Sequence, residues 1–258
     1  MSLRAWRWID TGLRPPAENL ALNRALLEAR QAREAPSTLR FLRFTPSALI
    51  GHHQDPAREL DLGFCASAGI AVQRRLTGGG AIYMDDGVLG WELYIGRDEA
   101  VSAEMPAISR LICEAGAAAI RALGVPAEHR PPTDIVVGGR KISGTGGALE
   151  GDALLYQGTL LIDFDVERML RTLAATAARV TPDLVGGARR SVVNLRELVS
   201  PLPSRERIYA AFVDALGAAF DARIQPGELG SPELERYRAA LAEIDTPAWV
   251  GLPEENAA

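Results

Sequence analysis

The chain has 258 residues, of which 47% are hydrophobic and 24% charged, with a formal net charge of −5. That balance suits a folded domain with a large core and excludes a disordered or fibrous chain. It also gives no general attraction to nucleic acid or to an anionic membrane, so an anionic ligand would have to be held locally. The two cysteines, Cys65 and Cys113, stand alone in apolar contexts without C-x-x-C spacing, which fits buried thiols in a reducing compartment better than a disulfide frame.

In chain order, "MSLRAWRWID" has charges at Arg4 and Arg7 and no long apolar run, and no charge-free stretch of membrane-spanning length follows. The expectation is a cytoplasmic protein with no membrane and no nucleic-acid partner. After Pro15-Pro16, Leu22, Ala25, Leu26 and Ala29 mark the inner face of a helix from about Ala17 to Ala32. "LRFLRF", "ALIG" and "IAVQRR" read as short strands, and "GWELYI" places Trp91, Leu93 and Ile95 on one face of another. Met105, Ile108, Ile112 and Ala115 recur at helical spacing between about Ser102 and Leu123, and Gly124 and Pro126 end the pattern.

"DIVV", Gly138-Gly139 and "RKIS" read as strand, tight turn and strand, with Lys141 at the strand start beside a flexible "GTGG". "ALLYQGTLLIDFD" continues the sheet, and Asp165 caps a short helix running to about Leu173. Two C-terminal helices are expected, one opened by Ser204 and the other by Ser231 as N-cap with Pro232 at N1. The fold class is therefore α/β of the α+β type, with a mixed, mostly antiparallel sheet flanked by helices, because strand runs follow one another instead of alternating with helices. The expected organisation is a domain over residues 1–200 and a helical segment over residues 201–258 packed on it.

Two islands carry chemistry. "RRLTGGGAIYMDDG" (Arg74 to Gly87) sets Arg74 and Arg75 before Thr77, Gly78, Gly79 and Gly80. Glycines let a ligand reach the main-chain N–H groups, and arginines suit phosphate or carboxylate oxygens, so the combination asks for one of those anions. Read alone, the triplet is as easily a turn and the arginines a solvated strand end. No phosphate-loop motif and no G-x-G-x-x-G is completed. The second island, "GGRKISGTGG", holds Lys141, the only lysine of the chain, beside Ser143, Gly144 and Thr145. A compact ammonium there suits a developing negative charge. With three histidines, His52, His53 and His129, no metal site is expected.

These islands resemble the signatures of the lipoate-protein ligase family, relatives of the biotin protein ligases and octanoyltransferases. "RRLTGGGAIYMDDG" is similar to its arginine and triple-glycine motif, and "PTDIVVGGRKISG" to its acidic strand and lysine turn. "YQGTLLIDFD", "SVVNL", "ENLALNRALLE" and "IGHHQDP" resemble further family stretches, in order from about Asn19 to Leu198. The resemblance implies a biotin/lipoate ligase-like catalytic domain. It also implies ATP, with Mg2+ accompanying the nucleotide, and lipoate or octanoate as substrates: an acyl-adenylate forms, and its acyl group passes to a lysine of a lipoyl domain or lipoate-binding carrier.

Carried over by position, Lys141 and Arg75 would be catalytic. Arg74, Thr77 to Gly80, Ala81, Tyr83, Asp134, Ser143, Gly144, Thr145, Gln157 and Thr159 would bind the nucleotide side, and Trp91, His52 and Gln54 would line the acyl slot. Departures at Met84, Gly87-Val88, Thr133-Asp134 and Gln157, the last standing where the family has histidine, bear on acyl or carrier preference. The family's C-terminal accessory domain is expected to be absent and possible to supply as a separate protein. The octanoyltransferase branches pass the acyl group through a cysteine that would fall in "EHRPPTD" or "LRTLAATAARVTP", and neither stretch has one. An acyl transferase with an acyl-carrier donor and a non-catalytic carrier-binding relative remain the alternatives to the ligase.

Overall fold

The structure is a computed structural model that describes residues 3–100, 104–173 and 180–252. In chain order its elements are β1 (Arg4–Arg14), α1 (Pro16–Gln31), β2 (Thr38–Phe44), β3 (Ser47–Ile50), α2 (Pro56–Glu59), α3 (Leu62–Ser67), β4 (Ala71–Arg74), β5 (Ile82–Met84), β6 (Val88–Gly96) and α4 (Met105–Ala122). There follow β7 (Glu128–Arg130), β8 (Asp134–Val137), β9 (Arg140–Glu150), β10 (Ala153–Leu161), α5 (Val166–Thr172), α6 (Pro182–Ser191), α7 (Leu195–Leu198), α8 (Arg205–Phe220), β11 (Ala222–Pro226), α9 (Ser231–Ile244) and α10 (Pro247–Val250).

Eight strands form one sheet in the order β11-β1-β2-β6-β10-β9-β8-β7, parallel only at β11/β1 and β1/β2. A second sheet of order β4-β3-β5 carries the short strands on either side of the glycine run. Alternation along β6 divides the large sheet. Leu89, Trp91, Leu93 and Ile95 face α4 and α8 in the main core, while Tyr94 faces α1 in a smaller one. The three-stranded sheet packs with Leu20 and Ala21 of α1, Leu170 of α5 and Ile244 of α9 in a core of its own. Helix α1 is buried nearly all round, since both the large sheet and α9 pack on it.

Capping follows the sequence at two places: Asp165 accepts from Arg168 N to open α5, and Ser204 accepts from Arg207 N to open α8. Gly138 and Gly139 turn the β8–β9 hairpin with φ of +55° and +77°. Other expectations are corrected. The cap of α9 is Gly230, whose N–H is bonded by Glu233, so Ser231 is the first helical residue. "GTGG" is not a loose loop but the middle of β9, paired with Gln157 and Gly158 of β10. Strands β1 and β11 had no counterpart in the sequence reading. The expected start of α4 at Ser102 lies outside the described residues. No helix among the described residues is long and apolar enough to cross a membrane.

Candidate active site

Lys141 leaves β9 at a register shift, and its Nζ forms a 2.7 Å ion pair with Asp134 Oδ1 on neighbouring β8. Arg130 holds the other carboxylate oxygen at 2.8 Å. Burial pushes the Asp134 carboxyl up, but the hydrogen bonds and charges of Lys141 and Arg130 outweigh it and hold the group below the ordinary aspartate value. The lysine stem lies over Gly144, where a Cβ would come within 2.6 Å of both Cε and Nζ. A glycine is therefore what lets the ammonium lie down on the sheet. Thr159 of β10 accepts from Gly144 N at 3.1 Å, and two residues earlier on the same face stands Gln157.

The glycine run reaches this row from the second sheet. Thr77 Oγ1 donates to Gln157 Oε1 at 3.4 Å, and Thr77 O accepts from His52 N at 3.1 Å. Gly78, Gly79 and Gly80 are exposed, and Gly79 takes a φ of +95°. Their main chain is therefore open to solvent beside Thr77, with Gly78 O and Gly80 O bonded by Arg75.

The arginines act differently from the expectation. Arg75 is 9% exposed and donates to Leu49 O, Gly78 O and Gly80 O at 2.8, 2.9 and 3.0 Å, so its guanidinium folds the glycine loop from beneath. Burial pulls it down from the ordinary arginine value. Arg74 is committed to main-chain oxygens of Gly51, His52, Gln54, Trp249 and Val250. It ties the 51–54 turn to α10 and offers nothing to a ligand in this state. Gln54 accepts from Gly51 N at 2.8 Å and shapes the same turn, with His52 exposed beside it. Ala81 is partly buried at the loop's end.

Four expected contacts are placed inward. Trp91 has no exposed surface: its ring lies against Gly158, where a Cβ would come within 2.1 Å, and faces Phe212 at 5.3 Å, so both faces are covered and it is core, not the wall of an open slot. Tyr83 is buried beside Phe164, with ring centroids 6.0 Å apart. Ser143 has no exposed surface, and Thr145 turns to Thr133 O, Tyr156 and Cys113. Regular alternation would put Ser143 and Thr145 on the face of Lys141, and the register shift between Lys141 and Ser143 breaks it, so that Gly144 faces the lysine instead.

Neither thiol is reachable. Cys113 is fully buried on α4, 3.2 Å from Thr145 Oγ1. Cys65 is 2% exposed in α3, and burial, then the Asp61 charge, pushes its thiol up to about 11. Among the described residues no group of three or more His, Cys, Asp or Glu side chains converges as a metal cluster.

Sequence reasoning missed the residues behind the row. Glu92 and Arg40, both buried, pair at 3.1 Å, and Glu92 accepts from Gln157 Nε2 at 2.8 Å. A charge in the middle of each predicted strand was the available signal.

A family profile described as "Lipoyl protein ligase A/B catalytic domain" matches residues 15–217. A relative from Kyrpidia tusciae called octanoyltransferase LipM is 28% identical over 96% of this chain and 98% of its own. Among solved structures, a lipoate-protein ligase A bound with ATP superposes with a TM-score of 0.82 at 25% identity, covering 98% of this chain and 100% of that one. A bi-partite lipoate protein ligase from Thermoplasma acidophilum, studied with its E2 lipoyl domain, superposes at 0.81 with 23% identity, covering 98% of each chain. Of the activities weighed from sequence, the transferase has the better support, since the Kyrpidia relative bears the octanoyltransferase name, while the ligase name is borne by superposed structures. The chain belongs to the lipoyl protein ligase A/B catalytic domain family, whose members include both ligases and octanoyltransferases.

Proposed function

We propose that the chain joins a lipoyl or octanoyl group to the ε-amino group of a lysine on a lipoyl carrier, as an ATP-dependent ligase with no covalent enzyme intermediate. The supporting observation is the contrast between a partly exposed Lys141 ammonium and an exposed glycine loop, joined to the same strand pair through Gln157, and two thiols that are both buried. In the first step a carboxylate oxygen of the acid attacks the α-phosphorus of ATP and pyrophosphate departs. In the second, the carrier amine attacks the carbonyl carbon of the mixed anhydride, its bond to AMP breaks and the amine proton is released.

Both steps build negative charge on oxygen. Main-chain N–H groups of Thr77 to Gly80 and the Lys141 ammonium are fixed donors for such charge, and Arg75 acts through the loop it folds. Asp134, itself held by Arg130, orients the Lys141 ammonium. Mg2+ would enter with the nucleotide phosphates, because both oxygens of Asp134 are already taken by cations. We assign catalysis to residues 1–200, on which the helical segment expected over 201–258 packs through α8 and β11. A separately encoded accessory protein is the partner that the bi-partite Thermoplasma enzyme makes reasonable.

A second reading has its own support: the Kyrpidia relative, similar over nearly its whole length, is called an octanoyltransferase. There the carrier amine would attack an acyl-carrier thioester directly, with Lys141 on the same carbonyl oxygen. The two separate in one experiment. The protein is incubated with apo-lipoyl domain or apo-glycine-cleavage H protein, either with ATP and lipoate or octanoate, or with octanoyl-acyl carrier protein alone, and carrier mass is read. Modification only with ATP establishes the ligase, modification from the thioester alone establishes the transferase, and none from either overturns both.

A further inference from the structure

Arg40 of β2, Glu92 of β6 and Gln157 of β10 stand in register across three neighbouring strands, a polar row leading from beneath α1 to the glycine loop. Arg40 has no exposed surface and Glu92 is 3% exposed. Glu92 Oε2 accepts from Arg40 at 3.1 Å, Asn23 at 2.7 Å and the Tyr94 hydroxyl at 2.6 Å. Its other oxygen accepts from Gln157 Nε2 at 2.8 Å.

A carboxylate fixed in that way only accepts. The NH2 of Gln157 is therefore bound to face Glu92, and its carbonyl oxygen to face Thr77. The Thr77 hydroxyl meets that oxygen at 3.4 Å, a long contact that uses it weakly. The loop N–H groups and Lys141 are donors suited to an anionic oxygen, and the other carboxylate of the site, Asp134, has both of its oxygens paired with cations. An acceptor among them is of no use to such an oxygen. It serves an incoming N–H.

We propose that Gln157 is held by Glu92 and Arg40 as the acceptor for the amine of the incoming carrier lysine, turning the nitrogen lone pair toward the acyl carbonyl that Lys141 polarises. The role rests on the acyl-transfer reading and applies to either donor. The N–C bond forms, the bond from the carbonyl carbon to AMP or to the carrier sulfur breaks, and the surplus amine proton leaves with the departing group or to water. Gln157 touches the nucleophile, whereas Glu92 and Arg40 are positioning residues.

The test compares Gln157→Leu with Gln157→His. Histidine can donate through one ring nitrogen to Glu92 and present the other as an acceptor, as the amide does; leucine can do neither. Acylation of apo-lipoyl domain is followed in single turnover with whichever acyl donor the wild type uses, alongside the KM for that donor. Gln157→Leu should lower carrier acylation by ~100-fold, a loss in the range for misplacing a nucleophile that is otherwise held in line, with donor KM within about twofold of wild type. Gln157→His should restore the rate above about pH 7 and lose it through the imidazole range near 6.5, where imidazolium has no acceptor left.

A leucine variant as fast as wild type, or one whose donor KM rises as far as its rate falls, overturns the role and leaves acyl transfer standing. Wild-type protein that modifies no carrier overturns the acyl-transfer reading and this role with it. Should the leucine variant fail to fold, the histidine variant decides alone: a pH profile identical to wild type overturns the assignment.

Discussion

A Cβ on Gly51 would lie 2.1 Å from the carbonyl oxygen of Gly79 and 3.1 Å from its carbonyl carbon. The β3–α2 turn and the glycine loop therefore touch backbone to backbone, and a side chain at Gly51 would displace the loop.

Gly51→Ala should therefore push the loop away, since a carbonyl cannot move as a side-chain tip can. A stability loss of ~1–3 kcal/mol is expected from overpacking of this kind, together with loss of carrier acylation. Gly78→Ala is the control, because nothing lies within 4 Å of a Cβ there and φ is ordinary. It should melt as wild type does, so any activity it loses reports ligand approach and not folding. If Gly51→Ala keeps full activity, the loop's position is not set by this contact.

Arg74 was expected to be a ligand donor, and its five main-chain acceptors make it a tether instead. Arg74→Ala should cost ~2–4 kcal/mol, given the worth of hydrogen bonds from a charged donor. For a chain of this size that lowers the melting midpoint by about 5–15 °C. An unchanged melt would refute the tether. Arg75→Ala should instead loosen the loop, reducing activity more than stability.

The thiols provide a pH test. A Cys65 thiol raised to about 11 remains protonated in the folded chain over a range where the unfolded thiol, near 9, has ionised. The native state then binds more protons than the unfolded state between those values. Its contribution is present below about pH 9 and is lost as pH rises toward 11. Cys65→Ser should flatten that alkaline limb in denaturant titrations, and native protein at pH 8 should react with a thiol reagent far more slowly than unfolded protein. Prompt native labelling would contradict the burial and reopen a thioester mechanism.

Much of this arrangement was legible because local chemistry dictated it. Asp165 and Ser204 cap helices for reasons contained within four residues, and Gly138-Gly139 forces a hairpin that delivers Lys141 next to Asp134. What was illegible depends on partners far away in the chain. Strand β1 pairs in parallel with β11 across the length of the sequence, and a register shift between Asp10 and Leu13 breaks the alternation that would have announced it. Glu92 and Arg40 look solvent-facing in isolation and are buried only because β2 and β6 bring them opposite each other. The same dependence explains Ser143 and Thr145: proximity to Lys141 in sequence does not place them on its face of β9.

The ion pair between Lys141 and Asp134 yields the last prediction. Two roles for Asp134 differ in what its removal does: a carboxylate that only restrains Lys141 competes with an anionic ligand for the ammonium, whereas one that orients it makes the ammonium useful. With Arg130 on its second oxygen the carboxylate is fixed in place, which favours orientation. Asp134→Asn should accordingly reduce acyl transfer, though less than Lys141→Ala, which removes the charge itself and should raise the barrier by ~3 kcal/mol or more, as loss of a preorganised oxyanion donor does. The pH dependence has a definite sign. Because the folded carboxyl lies below its ordinary value, its pairing supports the fold above about pH 4, the ordinary aspartate range, and is lost as pH falls through the lower folded value. Asp134→Asn should thus reduce the acid sensitivity of the melt below that pH while leaving neutral stability little changed, as befits a partly exposed pair. If Asp134→Asn is faster than wild type at neutral pH, the carboxylate is a restraint on Lys141 and not its guide.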